Sequence, residues 1–413
     1  MNPRMDTQML DAIAADYVKA VLSLGLHDAD FVDAYYGPPE WKAAVAAEKP
    51  GLETIRTRAS EITEDLKAAE AWEDAASRAR ISYLSAQIRA VSTRIRMLEG
   101  ARLSFDEESS LLYDAVAPHY DEEHFRKLLR TLDGVLPGAR PVSERFEAFR
   151  SQFVIPLDRL DAVFTAAIDE SRRRTQQWIP LPAEESFRIE YVKGKTWSGY
   201  NWFQGGSRSL IQINTDFPIT IDRAIDLASH EGYPGHHVYN ALIERDLVRG
   251  RAWNEFAIYA LFSPQSLIAE GTANYGVAMA FPAGDRVAFE KEKLFPIAGL
   301  DPERASQYYQ AHELSLRLHY AGNEAAMRYL DGEISREDAV EWLVTYALMS
   351  RQRAEQRTRF FDQYRSYVIN YNLGQDMVGT YIVREAGPDH SEARRWEIFI
   401  QLLTTPQTPS GLL

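Results

Sequence analysis

The segment His230-Glu231-Gly232-Tyr233-Pro234-Gly235-His236-His237 brings three imidazoles and a carboxylate together in one short stretch. Imidazole is a common zinc ligand, and a carboxylate beside the first histidine can take a proton from a water on the metal. The usual zinc-peptidase helix sets its two histidines four residues apart, so that both face one ion. Here the fourth position after His230 is Pro234, and the next histidines follow two and three residues later. On an unbroken helix His236 would lie about 9 Å along the axis and about 240° around it, while His237 would face correctly but about 10.5 Å away. The pair can chelate only if the helix breaks between them. Pro234-Gly235 supplies the break, because proline lacks the N–H and clashes with the preceding turn, while glycine reaches conformations closed to other residues. The bland alternative is a cluster of satisfied histidines at a helix bend.

A two-histidine site needs a third protein donor. The stretch Ser266 to Tyr275 offers Glu270 among apolar and small neighbours, where a buried carboxylate wants a cation or a metal. Gly271 and Ala273 leave room for two helices to approach closely. Otherwise Glu270 is an ordinary helix charge paired with a Lys or Arg. Since the chain has no cysteine, any transition metal must be held by His, Asp or Glu, and the expected cofactor is Zn2+.

Other candidates carry weaker signals. His312-Glu313 repeats the pair of residue types without a repairing Pro-Gly and reads as a helix surface pair. His119 to His124 holds ligand-type residues but opens a helix after Pro118, where acids favour the helix N-terminus. Arg351, Arg353, Arg357, Arg359 and Arg365 precede Tyr371, and one of them could clamp a terminal carboxylate, which would mean carboxypeptidase activity. A solvated face paired with Glu355 and the general acidic surplus explains them more simply. Trp197, Tyr200 and Trp202 could stack on substrate or serve as core.

The elements that must position these groups are mostly helices. Apolar residues recur at three and four spacing in Met9 to Leu26, Leu52 to Ala69, Trp72 to Leu98, Ile221 to Leu247, Phe256 to Ala280, Pro302 to Leu330, Arg336 to Leu348 and Gln352 to Glu385. Ser186 to Pro218 instead alternates around Gly205-Gly206, which predicts a small antiparallel β element whose last strand, Ser209 to Thr215, leads into the metal-site helix. An exposed edge strand there would suit an extended peptide. Thr404 to Leu413 reads as a frayed polar tail. The expected fold is mainly α, a helical zinc-metallopeptidase-like body with a lobe over 1–185 and a catalytic lobe over 186–413.

Composition narrows the partners. The 413 residues carry a formal charge of −14, which repels nucleic acid phosphates and anionic membranes. Asp6, Asp11, Asp16 and Lys19 interrupt the apolar run from Met1 to Leu26, and no stretch approaches a membrane span. The expectation is a cytoplasmic protein with no nucleic acid or membrane partner.

His230 to His237, followed by Glu270-Gly271 and Ala273-Asn274-Tyr275, resembles the bacterial proteins called domain of unknown function 885, which are similar to gluzincin zinc peptidases with HExxPGHH and EGxAxY motifs. The likeness runs over roughly Tyr191 to Gly374 and extends to Leu210 to Thr215, Ser335 to Val340 and Tyr371 to Gln375. Thr272 stands where that family commonly has Trp, and its DTGIH-like stretch before Ser335 is not found. The resemblance implies zinc on His230, His236 and Glu270, Glu231 as general base, His237 lining the site, and Tyr371 donating to the developing oxyanion. His237 replaces His236 as the second ligand if the bend is tighter. The expected chemistry is cleavage of a peptide or small amide substrate by Glu-assisted attack of a zinc-bound water. A zinc hydrolase of a non-peptide amide or ester shares these residues, and a catalytically silent metal-binding scaffold is the rival from another class.

Overall fold

Capping side chains set where the helices begin. The computed structural model describes residues 3–69 and 74–413; Met1 and Asn2, and the first residues of the helix expected from Trp72, lie outside them. Asp74 accepts from the Ser77 N–H at 2.8 Å to start Ala75–Leu98. Ser104 with Glu107, and Ser335 with Asp338, form reciprocal caps on Phe105–Tyr113 and Arg336–Tyr346. Asp121 caps Glu122–Val135 by accepting from the His124 N–H, which gives the acidic run after Pro118 a helix-start role. Each cap satisfies backbone N–H groups that a helix start leaves unpaired.

The protein is mainly α. Its strands among the described residues are β1 (Val32–Tyr35), β2 (Ser186–Val192), β3 (Gly199–Gly205), β4 (Arg208–Asn214) and β5 (Ile258–Ala260). β3 and β4 form the expected antiparallel hairpin, and β2 adds to the other side of β4 in parallel. The hairpin closes on Gly205, Gly206 and Ser207 at φ of 74°, 65° and 55°, a region open to glycine without a Cβ penalty. Ile211 and Ile213 point into the core from β4 with the two-residue period of a strand. Because β4 is central, the strand leading toward His230–His237 has no free edge; the edges belong to β2 and β3.

β1 pairs antiparallel with β5. The helix expected over Phe256 to Ala280 starts only at Pro264, because Ser263 is extended at φ −151° and ψ 163°, as the residue before a proline prefers. The tail from Thr404, expected to fray, is docked instead. Its turn Pro409–Leu412 buries Pro409 and Leu412, and the Ser410 N–H donates to Asp114 Oδ2 at 2.9 Å.

Two apolar cores result. One gathers Tyr17, Phe31, Tyr83, Leu267 and Trp396, and the other gathers Phe125, Phe164, Ile225, Phe295 and Tyr308. Each draws side chains from both sides of residue 185. The helix Pro264–Ala280 is buried on nearly every face, as a helix apolar all round must be. Ile369–Ala386 lies directly against it. A Cβ added to Gly271 would come within 2.5 Å of the Gly374 carbonyl oxygen, and one on Gly374 within 2.7 Å of the Leu267 carbonyl oxygen.

Candidate metal centre

The helix expected over Ile221 to Leu247 breaks as its histidine spacing requires. Asp222–Leu227 is α-helical, Ala228–Gly232 widens into a π-turn, and a new helix starts at His236. The Tyr233–Pro234 peptide between them is cis. Gly235 packs against the end of the first segment so tightly that a Cβ would sit 1.9 Å from the His230 carbonyl oxygen. Glycine therefore lets the second histidine fold back over the first, and the two ring centroids are 4.7 Å apart with the planes at 90°.

Glu270, from the central helix Pro264–Ala280, completes the group. Its Oε2 lies 3.3 Å from His230 Nε2 and 3.7 Å from His236 Nε2. Two donors at about 2.0–2.2 Å from a tetrahedral zinc ion stand about 3.3–3.6 Å apart, so this spacing fits such an ion.

Hydrogen bonding around the trio fixes where the protons lie. Asn274 Nδ2 donates to the Tyr371 carbonyl at 2.9 Å, which leaves Asn274 Oδ1 to accept from His230 Nδ1 at 2.9 Å. His230 Nε2 then turns a lone pair toward Glu270 Oε2, a buried carboxylate oxygen with no hydrogen-bond partner. Two electron-rich atoms facing each other in an enclosed site need a cation between them, either a proton or a metal ion. Tyr367 holds the other oxygen, its hydroxyl donating to Glu270 Oε1 at 2.7 Å. Burial opposes ionisation of Glu270, but His230 and His236, when a proton rather than a metal sits between them and the carboxylate, outweigh it and hold the carboxyl far below the ordinary range.

Glu231 shifts the opposite way, raised chiefly by burial. Its Oε1 lies 4.0 Å from His230 Nε2 and rests against β3, where a Cβ on Gly199 would meet it at 2.7 Å. Its backbone carbonyl accepts from Asn201 Nδ2 at 2.7 Å, so β3 positions this residue directly. A carboxyl with raised proton affinity suits a group that must take and return a proton near neutral pH.

His237 does not join the group. Its Nδ1 meets Ser209 Oγ at 2.9 Å and its Nε2 meets Glu185 Oε2 at 3.0 Å, with the side chain buried. The expectation that His237 lines the site, or replaces His236, is corrected: successive helical residues point about 100° apart, so a helix start that aims His236 at the trio aims His237 elsewhere. The partner Glu185 is held down to about 2, because His237, Tyr233 and Arg172 together outweigh its burial.

Tyr371 lines the same cavity, its ring centroid 5.7 Å from that of Tyr367. Burial first, and Glu270 second, push its hydroxyl above the ordinary value, so it keeps its proton. The cavity measures about 790 Å³. Asp33 of β1 also lines it, raised to about 7 by burial, with His236 opposing and Glu270 and Glu231 adding to the rise. Nothing periodic marks Asp33 in the sequence; only the pairing of β1 with β5 brings it in. Asn274 carried a usable signal, standing four residues after Glu270 on the same helix face.

His312, expected on the surface, is enclosed with Asp222 and Asp226, and these form a second trio whose donor atoms lie within 4.8 Å of one another. Arg286 and Arg223 reach Asp226 at 2.8 and 3.3 Å, while Arg150 lies 3.8 Å from Asp222 and the Tyr308 hydroxyl donates to it. Among the five arginines before Tyr371, Arg351 pairs with Glu337 and Glu341, and Arg365 with Glu108. Arg353 and Arg357 face the cavity, as do Trp197 and Tyr200. Trp202 is largely exposed and donates to Gln212.

Fold and donor set together define a mainly helical protein with two histidines and a carboxylate gathered in the wall of a deep cavity. No protein-family model matches the sequence, and no curated protein matches it. Among solved structures the chain is similar to one titled "putative lipoprotein from Colwellia psychrerythraea", with a TM-score of 0.55 and 14% identity over 87% of this chain and 65% of that one. It thus spans just under two thirds of that neighbour's length, and the likeness is one of fold. Structures titled CHT and BsuCP align over 99% of this chain and over 93% and 90% of theirs, at 13% and 11% identity and TM-scores of 0.47 and 0.49. No helix among the described residues is long and apolar enough to cross a membrane.

Proposed function

We propose that this chain is a zinc-dependent hydrolase of peptide or other amide bonds. The observation that carries the reading is Glu270 Oε2, buried, without a hydrogen-bond partner, and facing the Nε2 atoms of His230 and His236. Those three residues would hold the ion, and two imidazoles with one carboxylate are a donor set that suits zinc. When bound, zinc supplies Lewis acidity that polarises a carbonyl and lowers the pKa of a water toward about 7.

The rest of the chemistry falls to the chain's own groups. Glu231 takes the proton of the attacking water and passes it to the leaving amine, a role supported by its raised proton affinity and its place beside His230. Tyr371 keeps its proton and donates to the oxygen on which charge develops. Asn274 sets the tautomer and orientation of His230. Along the cavity, edge strand β3 offers backbone groups to an extended peptide. A chain without cysteine fits a reducing compartment, and the proposal places it in the cytoplasm.

Metal analysis and a panel of short peptides test the reading. The expected result is one zinc per chain and cleavage, with Glu231→Gln keeping the zinc but losing about 10²- to 10⁴-fold in turnover. Zinc uptake that survives His230→Ala, or activity that survives Glu231→Gln, would overturn it.

A further inference from the structure

The cavity is lined by five arginines, and they divide sharply by partner. Arg286 reaches Asp226 at 2.8 Å and Glu290 at 2.9 Å, Arg223 reaches Asp226 at 3.3 Å, and Arg150 lies 3.8 Å from Asp222. Arg353 and Arg357 have no carboxylate partner among the described residues. Arg353 donates to the Pro218 carbonyl at 3.2 Å and lies over the Phe217 ring. Arg357 is packed among rings, with its guanidinium carbon 4.5 Å from the Phe360 centroid and 5.8 Å from that of Tyr371, and its Nε is enclosed without a hydrogen-bond partner. Aromatic faces attract a cation but satisfy none of its in-plane N–H donors. Burial lowers the proton affinity of both, to about 10 for Arg353, yet each remains a cation at neutral pH.

A half-buried cation facing a cavity without a counter-charge is costly unless an anion arrives. Arg357 is also close to the metal centre. Its neighbour Tyr371 packs edge-on against Tyr367, whose hydroxyl holds Glu270. We infer that Arg357, with Arg353 beside it on the same helix, forms a carboxylate subsite that holds an acidic group of the substrate while the scissile amide lies at the His230, His236 and Glu270 centre. The inference rests on the hydrolase reading for what happens at the centre, but not for the binding itself. The planar fork of Arg357 matches a carboxylate in two parallel hydrogen bonds. The carboxylate is either the free C-terminus of a peptide or an acidic side chain.

Calorimetric titration of the metal-free and zinc-loaded protein separates these outcomes. The probes are N-acetyl-Ala-Ala as the free acid, the same peptide as its C-terminal amide, and N-acetyl-Glu amide. The wild-type chain is expected to bind at least one carboxylate probe about ten- to a hundredfold more tightly than the neutral amide. Arg357→Gln should abolish that preference, and Arg357→Lys, which keeps the charge and tests the role should the first variant fold poorly, should retain part of it. Preference for the free acid identifies the terminal carboxylate, and preference for the glutamyl probe identifies a side chain. Equal binding of acid and amide, no binding of either carboxylate probe, or a preference that survives Arg357→Gln overturns the subsite. Because binding is also read on metal-free protein, a failure to take up zinc or turn over peptides would sink the hydrolase reading and leave this measurement standing.

Discussion

His230, His236 and Glu270 line the same cavity as Asp222, Asp226 and His312, and in each trio the donor atoms lie within 4.8 Å of one another. Counted as ligands, they are equals. Their surroundings differ. The second trio already contains its positive charge, since Arg286 and Arg223 reach Asp226 while Arg150 flanks Asp222. The first has imidazoles whose outer nitrogen is settled on at least one side by Asn274, and a carboxylate oxygen that nothing donates to. On the proposed reading, a metal site is thus distinguished less by its donors than by whether the protein has supplied the cation itself.

The largest effect that could break this contrast is on metal content. His230→Ala and Glu270→Ala are expected to lose stoichiometric zinc, whereas His312→Ala should still bind one zinc per chain by elemental analysis. Zinc lost from His312→Ala alone would erase the distinction. Next in size, Arg286→Leu strips the counter-charge from Asp226 and Glu290 and should cost about 3–5 kcal/mol in urea unfolding, as breaking a buried ion pair does. A change below about 1 kcal/mol would show that the second trio does not depend on its arginines. Smaller again, Asn274→Ala should weaken zinc affinity about 10- to 100-fold in chelator competition, because an unanchored imidazole is a poorer ligand. Unchanged affinity would mean that Asn274 does not orient His230.

The mildest expectation concerns Glu185, the partner of His237. Its carboxyl is held down to about 2 from an ordinary 4.5. A depressed carboxylate stabilises the fold fully above its ordinary value and loses that share as pH falls from about 4.5 toward about 2. Melting temperatures of Glu185→Gln should therefore fall less steeply than wild type across that window. Parallel curves would show that the Glu185 ion pairs carry no net stability.

What could be read from the sequence was whatever a local rule constrains. His230 and His236, six residues apart, cannot share one ion on a straight helix, so a common site called for the break that Pro234-Gly235 supplies, and the apolar company of Glu270 marked that residue as one needing a cation. The β3–β4 hairpin announced itself through alternation around two glycines. The choice between His236 and His237 depended on the rotation at which the new helix starts, which spacing does not determine. β2 pairs in parallel across the hairpin, and Asp33 enters through a short strand, so both depend on distant partners. His312 was misplaced for the same reason, since its acids lie far back in the chain at Asp222 and Asp226. The tail's anchoring rests on Pro409 and Leu412 in a polar run, a signal too brief for periodicity.

Gly271 and Gly374 let one wall of the cavity be built backbone against backbone. Where the helix bearing Glu270 crosses the helix bearing Tyr371 at these glycines, no side chain separates the two backbones, so a methyl group added at either one would drive the helices apart. On β3, Gly199 does the same for a side chain, leaving the space that Glu231 Oε1 fills.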